Sequence, residues 1–188
     1  VWKVQVGLVP VLMLDTDIPL NDPADRPITG TLYVRGREMR LCQEIVHGIG
    51  GVRALRALGI HPAVWHMNEG HVAFLTLERA RERVHMGDSL DEALAAVKRT
   101  TVFTTHTPVP AGNEAFDRKL VRKYLEPWIR DVGCDPDDAL TLGWIASAVV
   151  FVSARPAVGP PKSDHAPSSA ICVLSRLMAL CGTGSPAL

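Results

Sequence analysis

The chain has 188 residues, 47% of them hydrophobic, and its 20 Lys and Arg residues balance 20 Asp and Glu residues. That length buries one hydrophobic core, one domain with an appendage at most. The even charge offers no polybasic field to nucleic acid or an anionic membrane, and no apolar run approaches the roughly 20 residues that cross a bilayer, so the expected partner is small or neutral.

In chain order, residues 4–7 and 9–14 are short, apolar and β-branched, and read as a hairpin or two strands ending at Asp15-Thr16-Asp17. Opening at Val1 inside such a segment, without the charged start and cleavage site of a secretory signal, the sequence reads as cut from something longer. Residues 18–30 hold three prolines and read as a loop. From Glu38 the period changes: Leu41, Ile45, Ile49, Val52 and Leu55 share one helical face, and Gly59 stops the helix. Gly48, Gly50 and Gly51 each cost about 1 kcal/mol against alanine inside a helix, which predicts a close neighbour or a kink.

Residues 63–67 read as a buried strand, and Asn68-Glu69-Gly70-His71 turns it into a helix running to about Val84 with Val72, Leu75 and Ala80 inward. Ser89-Leu90-Asp91-Glu92 has the form of a capping box and starts a helix ending near Arg99. Residues 101–105 read as a second buried strand, closed by the proline-rich loop 106–112. Leu120, Val121, Tyr124, Leu125 and Trp128 give an amphipathic helix that Pro127 is expected to kink or end. Short strands alternating with helices imply an α/β fold with βαβ units and a mainly parallel sheet, whose ligands bind at the carboxyl ends of the strands. After Gly143 the composition turns to Ala, Ser, Pro and Gly, with Asp164 the one acidic residue from Trp144 onward. Residues 144–188 are therefore expected to be an atypical, poorly packed tail to a unit of residues 1–143.

Two loops carry the candidate chemistry. Asn68, Glu69 and His71 place an amide, a carboxylate and an imidazole within four positions at a strand-to-helix turn, donors and acceptors that suit sugar hydroxyls. An Asn helix cap beside a solvated Glu and a packing His is the alternative for the same residues. His106 comes after a strand at the equivalent place. His66, Glu69 and His71 raise the alternative of a metal-dependent hydrolase, although the spacing is not H-E-x-x-H. A non-catalytic carbohydrate-binding module is a third reading, weakened by an aromatic content of 5%. Gly48 to Gly51 lacks the Gly-Lys-Ser/Thr of a phosphate loop. Cys42, Cys134, Cys172 and Cys181 make no C-x-x-C pair and read as free thiols of a reducing cytoplasm.

Six blocks in order carry a family resemblance: Val1-Trp2-Lys3-Val4-Gln5-Val6-Gly7, Leu14-Asp15-Thr16-Asp17-Ile18-Pro19, Arg37-Glu38-Met39-Arg40-Leu41 with Gln43-Glu44, Gly48-Ile49-Gly50-Gly51-Val52-Arg53-Ala54-Leu55, Trp65-His66-Met67-Asn68-Glu69-Gly70-His71, and Thr104-Thr105-His106-Thr107-Pro108-Val109-Pro110-Ala111-Gly112. Together they resemble the α-glucan (glycogen or maltodextrin) phosphorylases in their short bacterial form. The resemblance implies a partial Rossmann-like domain, from a glycosyltransferase architecture of two Rossmann-like halves facing across a cleft. It implies an allosteric, cytoplasmic enzyme, its oligomeric state left open, that transfers terminal α-1,4-linked glucose from a glucan to inorganic phosphate, giving α-glucose 1-phosphate with retention. It assigns glucose binding to Asn68, Glu69, His71 and His106, with His106 at the scissile bond through its ring and backbone carbonyl, and a mobile gate to residues 33–40. The family's cofactor is pyridoxal phosphate on a lysine of the other half, so the isolated chain is expected to be inactive. Cys42 and His47 depart from the basic and apolar residues usual at their positions. From Trp144 the family pattern, with its Asn-Gly-Val-Ser and Leu-His-Gly signature, vanishes, as a break in reading frame near Gly143 would cause.

Overall fold

A computed structural model describes residues 1–32, 36–104, 106 and 116–131, the side chains of Pro127, Trp128 and Asp131 apart. The expected tail, residues 144–188, and Cys134, Cys172 and Cys181 lie outside the described residues.

Strands β1 (Trp2–Val6) and β2 (Val9–Met13) pair antiparallel with Val4 opposite Val11. Their two-residue turn requires positive φ, which Gly7 supplies at +58°. Neither face is covered among the described residues: Trp2 is 63% exposed and Leu8 98%. The loop after β2 is held firmly. Thr16 Oγ1 donates to Arg26 O at 3.0 Å and lies 2.9 Å from Thr29 Oγ1, while Gln43 Nε2 donates to Ile28 O and Thr31 O, each at 2.8 Å.

Helix α1 (Arg37–Ile45) passes through a π-helical turn (Val46–Gly50) into α2 (Gly51–Ala57). The expected apolar face forms, with Leu41, Ile49 and Val52 buried and Ile45 and Leu55 packed beside them. Gly59, at φ +70°, ends the run: its N–H donates to Arg56 O and that of Ile60 to Leu55 O. Gly48 has the expected close neighbour, since a Cβ there would lie 2.7 Å from Phe74 Cβ and 2.8 Å from Leu75 N. Gly51 faces open space, so packing does not explain it. Of the expected gate, Arg37 to Arg40 form the first turn of α1, and residues 33–35 lie outside the described residues.

Strand β3 spans Trp65–Asn68, two residues later at its start than expected, and Val64 is 60% exposed. It pairs in parallel with β4 (Thr101–Thr104), Trp65 opposite Thr101 and Asn68 opposite Thr104. Between them the chain makes a 3-10 turn (Gly70–Val72), α3 (Leu75–His85) and α4 (Leu90–Arg99). Both arms of the Ser89/Glu92 capping box are present at the start of α4, an arrangement whose loss costs about 1 kcal/mol. The two strands are less buried than the sequence implies. Trp65 and Met67 enter the core, whereas His66, Asn68 and Val102 are exposed, because among the described residues helices cover one sheet face only.

The main core joins Leu41, Ile49, Val52, Trp65, Met67, Phe74 and Leu77 to Phe116 and to Val121, Leu125 and Ile129 of α5 (Arg118–Asp131). Helix α5 runs through Pro127, so the proline does not end it. A proline removes one helical hydrogen bond, but Leu125 and Ile129 are buried on either side of it and hold the two turns to the same core.

Charged groups brace this core. Glu78 is 1% exposed and takes Arg53 Nε and Arg81 Nη2, each at 2.8 Å. Two guanidinium groups lie over the indole of Trp65, Arg56 Cζ at 5.4 Å and Arg79 Cζ at 4.9 Å from the ring centre. Burial brings Arg79 down to about 10, still charged at neutral pH, and it donates to the hydroxyls of Thr100 and Thr101 at the α4–β4 junction.

Candidate functional site

The parallel register brings the ends of β3 and β4 level, and the two candidate loops leave side by side. Glu69, the first residue past β3, donates its N–H to Thr104 O at 2.8 Å. The chain then turns sharply, with Glu69 at φ +60° and ψ −174°. That region is nearly reserved for glycine and costs another residue about 1–3 kcal/mol. A side chain therefore has a reason to stand there. Glu69 is 8% exposed, and its Oε1 accepts the backbone N–H of His106 at 2.5 Å. A charge-assisted hydrogen bond of this kind contributes about 1.5–3 kcal/mol, enough to offset the backbone strain.

The His106 ring is oriented as well. Its Nε2 donates to Asn68 Oδ1 at 2.8 Å, on the exposed side of the sheet. Asn68, Glu69 and His106 thus form one assembly at the carboxyl ends of the two strands, with the His106 peptide fixed by Glu69 and its ring by Asn68. The helix-cap alternative for Asn68 is not what forms, since no side chain caps the 3-10 turn.

His71 turns toward α1. Its Nδ1 lies 2.6 Å from Arg40 Nη2 and 3.7 Å from Oε1 of Glu44, a carboxylate that is itself buried. Arg40 Nε and Glu44 Oε1 are 3.4 Å apart. His47 on the π-helical turn stays below its usual pKa, through burial first and then the charges of His71 and Arg40. Sequence reasoning misses Arg40 and Glu44 as neighbours of His71. Their signal is an acid placed within an apolar helical run, four residues after an arginine.

The residues of the metal alternative do not converge. His66 Nε2 pairs with Thr104 Oγ1 at 2.7 Å, Glu69 holds His106, and His71 meets Arg40. Among the described residues no group of three His, Cys, Asp or Glu side chains is placed to hold a metal ion. No described helix is long and apolar enough to cross a membrane. Cys42 is a free thiol, its pKa raised chiefly by burial.

A parallel strand pair with helices on one face among the described residues, carrying an amide, a carboxylate and imidazoles at its carboxyl ends, defines an α/β protein, a class whose ligands commonly sit at that end of the sheet. Relatives specify the class further. The chain is 46% identical over 161 residues to the glycogen phosphorylase of Mycobacterium tuberculosis, covering 82% of this chain and 18% of that protein. It is 47% identical over 142 residues to the maltodextrin phosphorylase of Thermococcus litoralis, 76% of this chain and 17% of that one. To the glycogen phosphorylase of Aquifex aeolicus it is 34% identical over 144 residues, 76% of this chain and 21% of that one. The chain belongs to the α-glucan phosphorylase family and spans about a fifth of the length of these relatives. No protein-family model matches it. No solved structure matches it either.

Proposed function

We propose that this chain is the part of an α-1,4-glucan phosphorylase that holds the terminal glucose, in an enzyme that passes that glucose to inorganic phosphate as α-glucose 1-phosphate with retention. The meeting of Asn68, Glu69 and His106 at the ends of β3 and β4 carries the reading. Glu69 and Asn68 fix the peptide and the ring of His106, the two parts of that residue to which the family resemblance assigns the sugar at the scissile bond. His71 adds a second imidazole beside the same turn. In this reading residues 1–143 belong to one of two Rossmann-like halves, residues 144–188 are a separate segment, and the enzyme works in the cytoplasm.

Pyridoxal phosphate, the family's cofactor, needs a desolvated lysine for its Schiff base. The described lysines do not fit. Lys3, Lys98 and Lys119 are exposed, and Lys123 is exposed and paired with Glu38 at 2.6 Å, which raises its pKa. We therefore assign no step through the cofactor to these residues, and give the chain the role of binding and orienting the sugar.

Calorimetric titration of the chain with maltoheptaose tests this. Binding that weakens about tenfold or more in His106→Ala, as the loss of one or two hydrogen bonds predicts, supports the reading. Unchanged binding in His106→Ala, or none in the intact chain, overturns it.

A further inference from the structure

We infer that the outer edge of β1 is a docking edge for a second copy of this chain, whose own β1 pairs with it antiparallel across a two-fold axis at Val4, joining two hairpins into one four-stranded sheet. The inference is independent of the sugar-binding reading, since it involves neither β3 nor β4.

The register of the hairpin decides which edge can pair. In an antiparallel ladder, facing residues alternate between pairs that exchange both backbone hydrogen bonds and pairs whose N–H and C=O groups point away from each other. The two-residue turn makes Val6 and Val9 a bonded pair. Val4 with Val11 and Trp2 with Met13 are then bonded too, while Gln5 with Pro10 and Lys3 with Leu12 point outward. Pro10 agrees with this phase, because a residue without an N–H fits a ladder only where that group would face away. The two edges therefore differ. On β2 the outward positions are Pro10 and Leu12, and the proline removes a donor and blocks pairing. On β1 they are Lys3 and Gln5, two N–H and two C=O groups in a row, and among the described residues the sheet ends there with two strands.

The same residues select the occupant. Paired antiparallel with itself, β1 overlaps over its full length in one register, with Val4 against Val4, Trp2 against Val6, and Lys3 against Gln5 of the other copy. Lys3 and Gln5 are then the bonded pairs, so the outward groups of both copies are satisfied together. Trp2, Val4 and Val6, with Val9, Val11 and Met13 opposite them, form a single apolar face whose six residues are all exposed. In this register that face continues unbroken into the second copy, and no like charges oppose each other. A two-residue slip one way sets Lys3 against Lys3, which is unfavourable. The slip the other way sets Lys3 against the turn at Gly7, and a one-residue slip brings the apolar face against the polar one. Pairing supplies what the hairpin lacks: two strands alone are marginal, whereas three or more with an apolar face hold together. An edge contact of this size is a weak interface.

Analytical ultracentrifugation of the intact chain, combined with residue-resolved amide exchange, tests this. The weight-average mass should rise from 20.4 kDa toward twice that value as concentration is raised through the micromolar range. Over the same range the Lys3 and Gln5 amides should gain protection, and those of Val4 and Val6, already bonded to β2, should change less. Gln5→Pro, which removes one outward N–H and leaves every bond to β2, should abolish the rise. Gln5→Glu, which faces Lys3 twice in the dimer, should tighten association about three- to tenfold, and Gln5→Lys should weaken it by as much. A chain that stays at 20.4 kDa overturns the inference; if its Lys3 and Gln5 amides are protected at every concentration, another segment occupies the edge. A dimer that Gln5→Pro leaves intact, or that Gln5→Glu and Gln5→Lys affect alike, overturns it too.

Discussion

The hairpin β1–β2 and the parallel pair β3–β4 are both built from short strands, yet among the described residues one is bare on both faces and the other is half buried. The residues within the strands do not account for the difference. The connections between them do. β3 leads into α3 and β4 comes after α4, and the helices lay apolar faces on Trp65 and Met67. β1 turns in two residues to β2, which leads into a polar, proline-containing loop that brings no apolar face back. A two-stranded sheet without a covering layer is marginal by itself. Strand propensity specifies local pairing; stability comes from the layer that the connections deliver.

Substitutions can break or sharpen this contrast. The largest expected effect is Glu78→Ala beneath the β3–β4 unit. It removes the buried carboxylate that Arg53 and Arg81 share, and losing these charge-assisted hydrogen bonds, one of them to a half-exposed arginine, costs about 3 kcal/mol, read as a lower midpoint in urea denaturation. Gly48→Ala comes next. Its Cβ has nowhere to go between Phe74 and Leu75, so a loss of about 1–3 kcal/mol is expected, while Gly51→Ala, in open helix, should be neutral or gain up to about 1 kcal/mol. Equal losses at both glycines would show that the contact of the π-helical turn with the start of α3 is not close-packed.

Acid should find the same region. The folded state keeps His47 neutral below its ordinary pKa, through burial and then His71 and Arg40, whereas the unfolded chain takes up a proton near 6.5. The stability involved is complete above about pH 6.5 and is lost as pH falls below it. His47→Gln should flatten that part of the pH–stability curve. The smallest effect belongs to the hairpin. Leu8→Ser alters a side chain that is 98% exposed and should change stability by less than about 0.5 kcal/mol; a larger loss would mean that something covers the turn.

Much of this organisation is legible in the sequence because it is local. The Ser89 capping box, the stop at Gly59 and the helical spacing from Leu41 to Leu55 each depend on residues a few positions apart, and each forms. Asn68, Glu69 and His106 are legible as members of two strand-end loops, since parallel pairing puts such loops together. The features that escape depend on partners distant in the chain. Pro127 stays helical because Leu125 and Ile129 are captured by a core that the local pattern does not specify. His71 is engaged by Arg40, 31 residues earlier, and the open face of the sheet reflects described helices that pack on the opposite face. Glu69 is the sharpest case. Its residue type suggests a direct sugar contact, and nothing local announces the strained backbone and the bond to the His106 peptide that also make it a strut between the two loops.

That strut is most directly tested at the backbone amide of His106. It lies past the end of β4, where an amide without a partner exchanges quickly, but here Glu69 Oε1 accepts it at 2.5 Å. Amide hydrogen exchange should show His106 protected in the intact chain and exchanging about tenfold or more faster in Glu69→Ala, the effect of losing about 1.4 kcal/mol or more of local stability, with the Trp65 and Met67 amides unchanged. A His106 amide that exchanges as fast in the intact chain as in Glu69→Ala would contradict the strut.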